Sequence, residues 1–437
     1  MTSRFRLLLI GDSDSQLLAC EALCQFPDHL GVDITINAVP RDGTPEAILQ
    51  RAKAVGTLWR FDMGQLLTHP DLLQFDAIGV YLTGSKISDF RLALSLLSKR
   101  ERPLLFCGFN GVVLEKFLEG MSWRLGYDLI CLNGPKDQDA LDQMLIGSPF
   151  AGQPTVITGL RRNGEVVKAR PAHKERRQQL VFAEQVVMPR SYADRARMVR
   201  ILADLAKRSP NWEVLIKPRI APDETTFHQA ERHISQTLME SIGRPPANLR
   251  LDYRPLSELL SQSRFMATVS STAFFDALDF GCRPVVMADF GMDPSNGSHI
   301  FAGSGVWRSL DAVEDLDVLE QEWQTPDKEW LAWMGYGKEW KPEQLIASLQ
   351  NLKTQERQAL QEKSGYLSNA SFSFTQLRRD AERAINEANW EEAQSLLKLG
   401  NVMRPTHRNV ARRLKAVEQP NQLLRRLLLI LTFRDVG

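Results

Sequence analysis

The sequence predicts an α/β protein with two doubly wound domains that face a cleft, followed by an α-helical extension. The chain has 437 residues, which exceeds the roughly 100–200 residues of a usual domain. Short apolar runs alternate with amphipathic stretches, as in parallel strands joined by helical crossovers. A polar and basic stretch, RRNGEVVKARPAHKERRQQ, interrupts this alternation at 161–179 and is predicted to link the two domains.

The first α/β series predicts an N-terminal domain at residues 1–165. Apolar runs predict its strands, which are RLLLIGD, VDITINAV, FDAIGVYLTG, RPLLFCGFNG, YDLICLNGP and PTVITGL. Amphipathic stretches between them predict its helices, which are SQLLACEALCQF, TPEAILQRAKAV, DFRLALSLLSKR, LEKFLEGMSWRLG and DALDQMLIG. Parallel strands of this kind are buried on both faces of the sheet, so their runs are almost wholly apolar.

A second series predicts another Rossmann-like domain at residues 180–340. Its predicted strands are LVFAEQVVM, WEVLIKPR, ANLRLDYR, FMATVSS and RPVVMAD. Its predicted helices are SYADRARMVRILADLAKRS, for which Ser191 is a candidate N-cap, LSELLSQS and TAFFDALDFG. Ligands of open α/β sheets bind beyond the carboxyl ends of the strands, so the loops after these strands are the candidate sites.

Residues 342–437 are predicted to form the helical extension. The stretch AERAINEANWEEAQSLLKLGNVMRPTHRNVARRLKAV resembles one tetratricopeptide-like helix pair, and NQLLRRLLLILTFR predicts an apolar and basic terminal helix. A single pair cannot bury its own apolar face, so we expect it to dock on the α/β body or on a partner. For the terminal helix, docking on the body and peripheral contact with a membrane are both open.

The composition excludes several classes of function. Lys and Arg number 54 against 53 Asp and Glu, so no global field attracts nucleic acid or an anionic membrane. The five cysteines are scattered and mostly within apolar runs, which is typical of reduced thiols in the cytoplasm. The N-terminal apolar run is too short for a signal peptide, and no run of ~18 apolar residues predicts a membrane span.

A candidate anion site follows the strand FMATVSS. Ser270, Ser271 and Thr272 stand where this strand ends and the next helix begins. The first N–H groups of a helix lack partners within the helix and the helix dipole is positive there, so a phosphate suits this position. The alternative is an ordinary N-cap, which Ser and Thr also supply.

Two cations end the strand WEVLIKPR. Lys217 and Arg219 flank a proline, and the following loop carries Glu224 and His228. Such cations can hold a diphosphate or a carboxylate, and His228 can protonate a leaving phosphate or hydrogen-bond a ribose. Alternatively, Lys217 and Arg219 are surface charges paired with the acidic residues that follow them.

Acidic residues follow the first strand. Asp12 or Asp14 can act as a general base that takes a proton from a hydroxyl, although either can equally be an N-cap. Ser304 is expected to reach a ligand from the other side of the cleft. The chain has no G-x-G-x-x-G after the first strand, no Walker A motif and no G-x-S-x-G, and neither histidines nor cysteines have the spacing of metal ligands.

Several blocks resemble a family of bacterial glycosyltransferases that is itself similar to the sialyltransferases, polysialyltransferases and Kdo transferases of the GT-B fold. The blocks are LVFAEQVVMPRSYADR, VLIKPRIAPDETTFH, VSSTAFFDALDFGCRPVVMADFG and IFAGSG, together with the DSDS turn after the first strand, so the similarity spans residues 1–335. The resemblance implies that a turn at 217–219 and the pair Ser270–Ser271 contact the CMP part of a donor. It also implies an acidic base in the N-terminal domain and a reaction without metal or cofactor.

The sequence departs from these relatives at one turn. Arg219 and Ile220 stand where the relatives have histidine and proline, so protonation of the leaving group falls to His228 or is not needed, since matched cations stabilise a departing phosphate.

The resemblance therefore predicts a cytoplasmic glycosyltransferase, peripheral at the inner membrane if the terminal helix contacts it. Its expected donor is CMP-sialic acid or a related CMP-nonulosonate or CMP-Kdo, and its expected acceptor is a surface glycan or a lipid-linked glycan. Two alternatives stay open, a UDP-sugar epimerase of the same shape and a non-catalytic protein that binds nucleotide-sugars or glycans.

Overall fold

The structure, a computed structural model, describes most of the chain. The described residues are 4–24, 26, 28–40, 44, 46–82, 84, 86–97, 102–112, 117–148, 150–160, 171–186, 188–222, 232–355, 374–403 and 407–433. Glu224 and His228, two predicted site residues, lie outside these ranges, as does the first half of the predicted linker.

The first domain is built on a parallel sheet of seven strands in the order β3-β2-β1-β4-β5-β6-β7. The strands are β1 Phe5–Gly11, β2 Val32–Ala38, β3 Thr57–Trp59, β4 Ala77–Tyr81, β5 Leu104–Cys107, β6 Leu129–Leu132 and β7 Thr155–Ile157. The helices that join them are α1 Asp14–Leu23, α2 Glu46–Val55, α3 Met63–Leu67, α4 Lys86–Leu97, α5 Phe117–Ser122 and α6 Pro135–Leu145. Strand β1 shows why the fold forms, because Leu7 and Leu9 enter one core cluster and Leu8 and Ile10 enter the other.

The second domain repeats this winding on a six-stranded parallel sheet in the order β10-β9-β8-β11-β12-β13. The strands are β8 Arg177–Ala183, β9 Glu213–Lys217, β10 Leu249–Leu251, β11 Ser263–Thr268, β12 Arg283–Met287 and β13 Trp307–Arg308. The helices are α7 Tyr192–Arg208, α8 Ile234–Ile242, α9 Leu256–Gln262, α10 Ala273–Asp279, α11 Leu316–Glu322 and α12 Lys328–Met334. The predicted architecture of two doubly wound domains is therefore confirmed.

The sequence prediction lacked the strands β3 and β13 and the helices α3, α8, α11 and α12. Strands β3 and β13 have only three and two residues, so they carry too few side chains for a period of two to be recognised. Helix α8 follows the loop at 223–231, and its N-cap is His233, whose ring nitrogen accepts from the N–H of Ser235. Histidine is not among the usual N-cap residues, so the helix lacks the expected start signal.

Helix α13, Glu343–Lys353, returns the chain to the first domain. It lies in the range predicted for the helical extension, and this assignment is wrong because Leu345, Ile346 and Leu349 are buried in the core beneath the first sheet. The return passes through Gly335, whose φ of +92° and near contact with the carbonyl of Asn133, 1.8 Å from where a Cβ would stand, require glycine.

The remaining described helices form the extension. They are α14 Phe374–Asn386, α15 Trp390–Met403, α16 Arg408–Val417 and α17 Gln422–Phe433, and each packs against the next. They enclose a separate core that includes Phe374, Ala393, Val410 and Leu429. The structure therefore pairs the terminal helix with α16, where the sequence predicted a lone helix after a single pair.

Candidate active site between the two domains

The candidate site lies where the strand order reverses in each sheet. This reversal falls between β1 and β4 in the first domain and between β8 and β11 in the second. At such a point the crossover helices diverge to opposite faces, so the loops after the two strands leave a crevice. The predicted residues Asp12, Asp14, Ser270, Ser271 and Thr272 all follow one of these four strands.

Asp12 is held in an ion pair at the reversal in the first domain. Its side chain is only 3% exposed, and one carboxylate oxygen lies 2.6 Å from the Nζ atom of Lys86 at the start of α4. Its backbone N–H donates to Oε1 of Gln16 at 2.7 Å. Because both groups are engaged, Asp12 is suited to fixing the loop and the lysine rather than to meeting an acceptor.

Asp14 faces the other domain. Its side chain is 40% exposed, and Oδ2 lies 3.9 Å from Nη2 of Arg219, whose side chain is 47% exposed. Asp14 is the first residue of α1, after the N-cap Ser13. Exposed pairs of this length are weak, so a ligand that offers Arg219 a better anion can replace the carboxylate.

A buried ion pair positions Arg219 from below. Glu184 and Arg195, both nearly inaccessible, lie 2.9 Å apart. The second oxygen of Glu184 accepts the backbone N–H of Arg219 at 3.1 Å, and Arg195 also donates to the carbonyls of Gln185 and Val186. This pair therefore joins the loop after β8 to the loop after β9.

Ser270 is a structural member of the site. It is completely buried, and its backbone N–H donates to Oε1 of Gln185 at 3.0 Å while its hydroxyl accepts from Nε2 of Gln185 at 3.2 Å. The hydroxyl predicted to hold phosphate thus already accepts a hydrogen bond from a side chain in the loop after the neighbouring strand. Ser270 and Gln185 together fix the spacing of the loops after β8 and β11.

Ser271 and Thr272 are more accessible than Ser270. The Ser271 hydroxyl accepts the N–H of Ala273 at 3.2 Å and can still donate outward, and Thr272 is exposed without a capping bond from its side chain. Strand β8 separates β11 from β9, so with strands spaced roughly 5 Å apart these residues lie roughly 10 Å along the edge from the loop of Arg219. That separation suits the two ends of a phosphate-linked sugar.

Lys217 ends β9 at the same edge. Its ammonium donates to the carbonyl of Pro218, the residue that follows it, and its own carbonyl accepts from the N–H of Glu184 at 3.1 Å. The side chain is half-buried. Lys217 therefore adds a positive charge to the loop after β9.

Ser304 does not belong to the site. It is completely buried, its carbonyl accepts from the N–H of Asp327 at 2.9 Å, and its hydroxyl accepts the N–H of Val306. The loop packs against the aromatic core beneath α12, where a Cβ on Gly303 would lie 3.7 Å from Trp330. The prediction that Ser304 reaches a ligand is therefore wrong.

Three residues of the site were missed in the sequence. Lys86 follows β4, and Glu184 and Gln185 follow β8. The signal was present, because β1–β4 and β8–β11 neighbour each other in any sheet wound in this order, and both loops carry polar residues. The motifs chosen from the sequence followed β1, β9 and β11, so the polar residues after β4 and β8 were overlooked.

Two further observations concern candidate nucleophiles and metal ligands. All five cysteines are buried, and burial raises the pKa of Cys131 and of Cys282 to about 12, so these thiols stay protonated and are poor nucleophiles. Among the residues that the structure describes, no three His, Cys, Asp or Glu side chains are grouped to hold a metal ion.

The two reversed sheets and the polar loops between them define a GT-B-like protein. The chain belongs to the family described as "Putative glycosyltransferase (DUF6716)", whose model matches residues 7–352. The match ends beside the last residue of α13, so α14–α17 lie outside it. No curated protein sequence is significantly similar to the chain.

Solved structures share the fold at low sequence identity. One, described as a "putative UDP-N-acetylglucosamine 2-epimerase from Listeria monocytogenes", has a TM-score of 0.52 and 14% identity and covers 81% of this chain and 98% of its own. The UDP complex of S. aureus MnaA has a TM-score of 0.50 and 12% identity, covering 81% and 99%. The Neisseria meningitidis UDP-GlcNAc 2-epimerase bound to UDP-GlcNAc also scores 0.50 at 12% identity, covering 79% and 100%.

Proposed function

We propose that the chain is a glycosyltransferase that moves a sugar from a nucleotide-activated donor to an acceptor hydroxyl. The observation that carries this proposal is the approach of Asp14 and Arg219 to 3.9 Å from opposite domains. A transferase needs a base on the acceptor side and cations on the donor side. The family description supports the same class of reaction.

In the proposed reaction the donor first binds Arg219 and displaces the carboxylate of Asp14 from it. The freed carboxylate of Asp14 accepts the proton of the acceptor hydroxyl, and the hydroxyl oxygen bonds to the anomeric carbon of the sugar. The bond between that carbon and the phosphate oxygen breaks, and its electron pair leaves with the nucleotide. Lys217 and the hydroxyls of Ser271 and Thr272 stabilise the charge on the departing phosphate.

The favoured donor is CMP-sialic acid or a related CMP-nonulosonate or CMP-Kdo. Such donors carry one phosphate and one carboxylate, and the site offers two cations, Lys217 for the phosphate and Arg219 for the carboxylate, since Arg binds carboxylates bidentately. The likeness of the residues around 217–219 and 270–272 to sialyltransferase motifs supports this choice. Glu224 and His228 remain candidates for contacts with the nucleotide and for protonation of the leaving group.

The proposed acceptor is a surface glycan or a lipid-linked glycan that enters from the first domain. We place the reaction in the cytoplasm, where nucleotide-sugars are the available donors, with the C-terminal helices contacting a membrane or a protein. Within the described ranges, no helix combines the length and the apolar character that crossing a bilayer requires.

Ligand-induced stabilisation tests the donor. Thermal unfolding is measured with CMP, UDP, GDP and ADP, and we expect CMP alone to raise the midpoint, because a ligand at a hundred times its Kd stabilises the native state by about 2.7 kcal/mol. Arg219→Gln should weaken binding of CMP-sialic acid about tenfold or more. The matched control is Arg197→Gln, since Arg197 has the same 47% side-chain exposure and lies 3.7 Å from Asp311.

A second measurement separates the alternatives. Labelled CMP-sialic acid is incubated with glycan and glycolipid acceptors, and UDP-GlcNAc is incubated without an acceptor. Transfer that requires Asp14 supports the proposal. Stabilisation by UDP with conversion of UDP-GlcNAc to its 2-epimer would identify an epimerase, and tight nucleotide binding without turnover would identify a binding protein.

A further inference from the structure

The last helix exposes an apolar stripe to solvent. Along α17, Leu423, Leu424, Leu427, Ile430 and Leu431 are between 43% and 80% exposed. At 100° per residue these positions span about 120° of the helix surface, on one continuous side. Soluble proteins rarely leave such a continuous apolar face uncovered, so this face points to a binding surface.

The opposite side of α17 is already used for packing. Leu429 and Thr432 are buried, Leu428 is partly buried against the core of the extension, and Arg425 stacks over Trp390 at 4.8 Å and donates to the carbonyl of Gln419. The helix is therefore fixed with its apolar stripe outward. Rotating the stripe inward would break these contacts and expose Leu429 to solvent.

Positive charge accompanies this stripe. Residues 407–433 contain six Lys and Arg and one acidic residue, whereas the rest of the chain has 48 Lys and Arg against 52 Asp and Glu. On α17 the exposed Arg426 borders the stripe, and on α16 the residues Arg408, Arg412 and Lys415 are exposed at a spacing of one helical face. The chain thus joins an exposed apolar stripe to a basic segment.

We propose that α16 and α17 dock the protein on an anionic lipid bilayer, with the apolar stripe of α17 in the interface and the basic residues at the headgroups. An apolar stripe bordered by Arg or Lys is the arrangement of helices that lie in the plane of a membrane surface. Anionic lipids add about 1 kcal/mol of attraction per nearby cation. The 12 residues of α17 extend about 18 Å, which suits lying on a bilayer and not crossing one.

Charge complementarity favours a bilayer over a second copy of the chain. Two copies that paired through this stripe would bring two sets of exposed cations together, because Arg408, Arg412, Lys415 and Arg426 are exposed in each. Like charges placed opposite each other oppose association. An anionic surface instead neutralises the same residues.

Co-sedimentation with lipid vesicles tests the proposal on the full-length protein. Vesicles of phosphatidylcholine alone are compared with vesicles of equal parts phosphatidylcholine and phosphatidylglycerol, and we expect sedimentation with the anionic vesicles only, weakened by salt. The triple variant Leu423→Ser, Leu427→Ser, Ile430→Ser should lower the partition coefficient more than about tenfold. Ile146→Ser, at an exposed isoleucine of the first domain, is the matched control and should change nothing.

A charge variant tests the second half of the proposal. Arg426→Gln should lower partitioning to anionic vesicles about fivefold, and Arg177→Gln, at an exposed position on β8, should not. All of these side chains are exposed, so circular dichroism should show unchanged folding.

Three results would overturn the proposal. They are no sedimentation with anionic vesicles, equal sedimentation with phosphatidylcholine alone, and a triple variant that binds vesicles like the wild type. If light scattering instead shows a dimer that the triple variant dissociates, without vesicle binding, the stripe pairs two copies. Because no donor or acceptor is present, the outcome is independent of the proposed transferase activity.

Discussion

The two sheets reverse their strand order in the same way, yet their loops carry different chemistry at the reversal. In the first domain the neighbouring loops are joined by charge, since Asp12 pairs with Lys86 at 2.6 Å. In the second they are joined by a neutral amide, since Gln185 bonds both the N–H and the hydroxyl of Ser270. The same fold therefore joins its loops by an ion pair in one domain and by neutral hydrogen bonds in the other.

Because of this difference, the two edges present different charged groups to a ligand. On the first edge the charged pair satisfies Asp12, which leaves Asp14 as the carboxylate that reaches toward the other domain. On the second edge the neutral amide adds no charge, so Lys217 and Arg219 set the local potential. A carboxylate on one domain and cations on the other are the groups that the proposed transfer requires for its acceptor and its donor.

The largest expected effect comes from removing the carboxylate that faces the cleft. Asp14→Asn should lower the rate of sugar transfer about 10²–10⁴-fold, because the acceptor loses its general base, while donor binding measured by calorimetry persists. Asp311→Asn is the matched control, since Asp311 also forms an exposed pair with an arginine. Equal activity of Asp14→Asn and wild type would exclude Asp14 as the base and would favour Asp12.

The buried ion pair of Glu184 and Arg195, which supports the loop of Arg219, should make a large contribution to the free energy of unfolding. Arg195→Met leaves Glu184 buried without its partner and should lower the free energy of unfolding by about 3–5 kcal/mol in urea. Lys207→Met, which removes an exposed pair with Asp204, should cost less than about 1 kcal/mol. Similar losses for both variants would show that the Glu184–Arg195 pair is not the anchor of this edge.

The hydrogen bonds between Gln185 and Ser270, which join the loops after β8 and β11, should contribute less to stability than the Glu184–Arg195 pair. Gln185→Leu leaves the buried N–H and hydroxyl of Ser270 without their partner and should lower the free energy of unfolding by about 1–3 kcal/mol. The same variant should weaken nucleotide binding, since the loop of Ser271 and Thr272 loses its support. Gln178→Leu, at an exposed glutamine of β8, is the control, and a loss of stability with unchanged nucleotide affinity would separate Gln185 from the ligand site.

The smallest effect concerns acid stability at the same edge. Hydrogen bonds and charge from Arg254, together with Arg250, hold the pKa of Asp252 at about 2 instead of the ordinary 3.8. A depressed carboxylate pKa stabilises the fold above the ordinary pKa, and this stabilisation is lost as the pH falls through the folded value. Between pH 4 and pH 2, wild type should lose more stability than Asp252→Asn, by less than about 1 kcal/mol, since both arginines are partly exposed. If the free energies of unfolding of the two proteins fell in parallel with pH, the stabilising role of the Asp252 carboxylate would be contradicted.

Much of the fold could be predicted because burial on both faces of a parallel sheet leaves a plain signal. Strands such as LLLIG and LVFA are apolar at every position, and the helices between them are amphipathic. The short edge strands β3 and β13 lack that signal. The place of α13 could not be predicted either, because its apolar stripe fits any apolar face and only the tertiary structure selects the first domain.

The site was predictable by position more than by role. The sequence indicated the loops after β1, β9 and β11, because chemistry collects at the carboxyl ends of strands. It did not separate Asp12 from Asp14, since the lysine that pairs with Asp12 lies 74 positions along the chain. The sequence prediction also overestimated the accessibility of Ser270 and Ser304, because accessibility depends on neighbours that are remote in sequence.

The return of α13 has a consequence for how the chain is made. The core beneath the first sheet is complete only when Leu345, Ile346 and Leu349 arrive, and the two crossings are tied where the N–H of Leu160 donates to the carbonyl of Gly335 at 2.9 Å. During synthesis these three residues leave the ribosome only after the second domain, so this part of the first domain's core is completed last. Folding from the N-terminus, the usual order for nascent domains, is here interrupted by the domain that comes next.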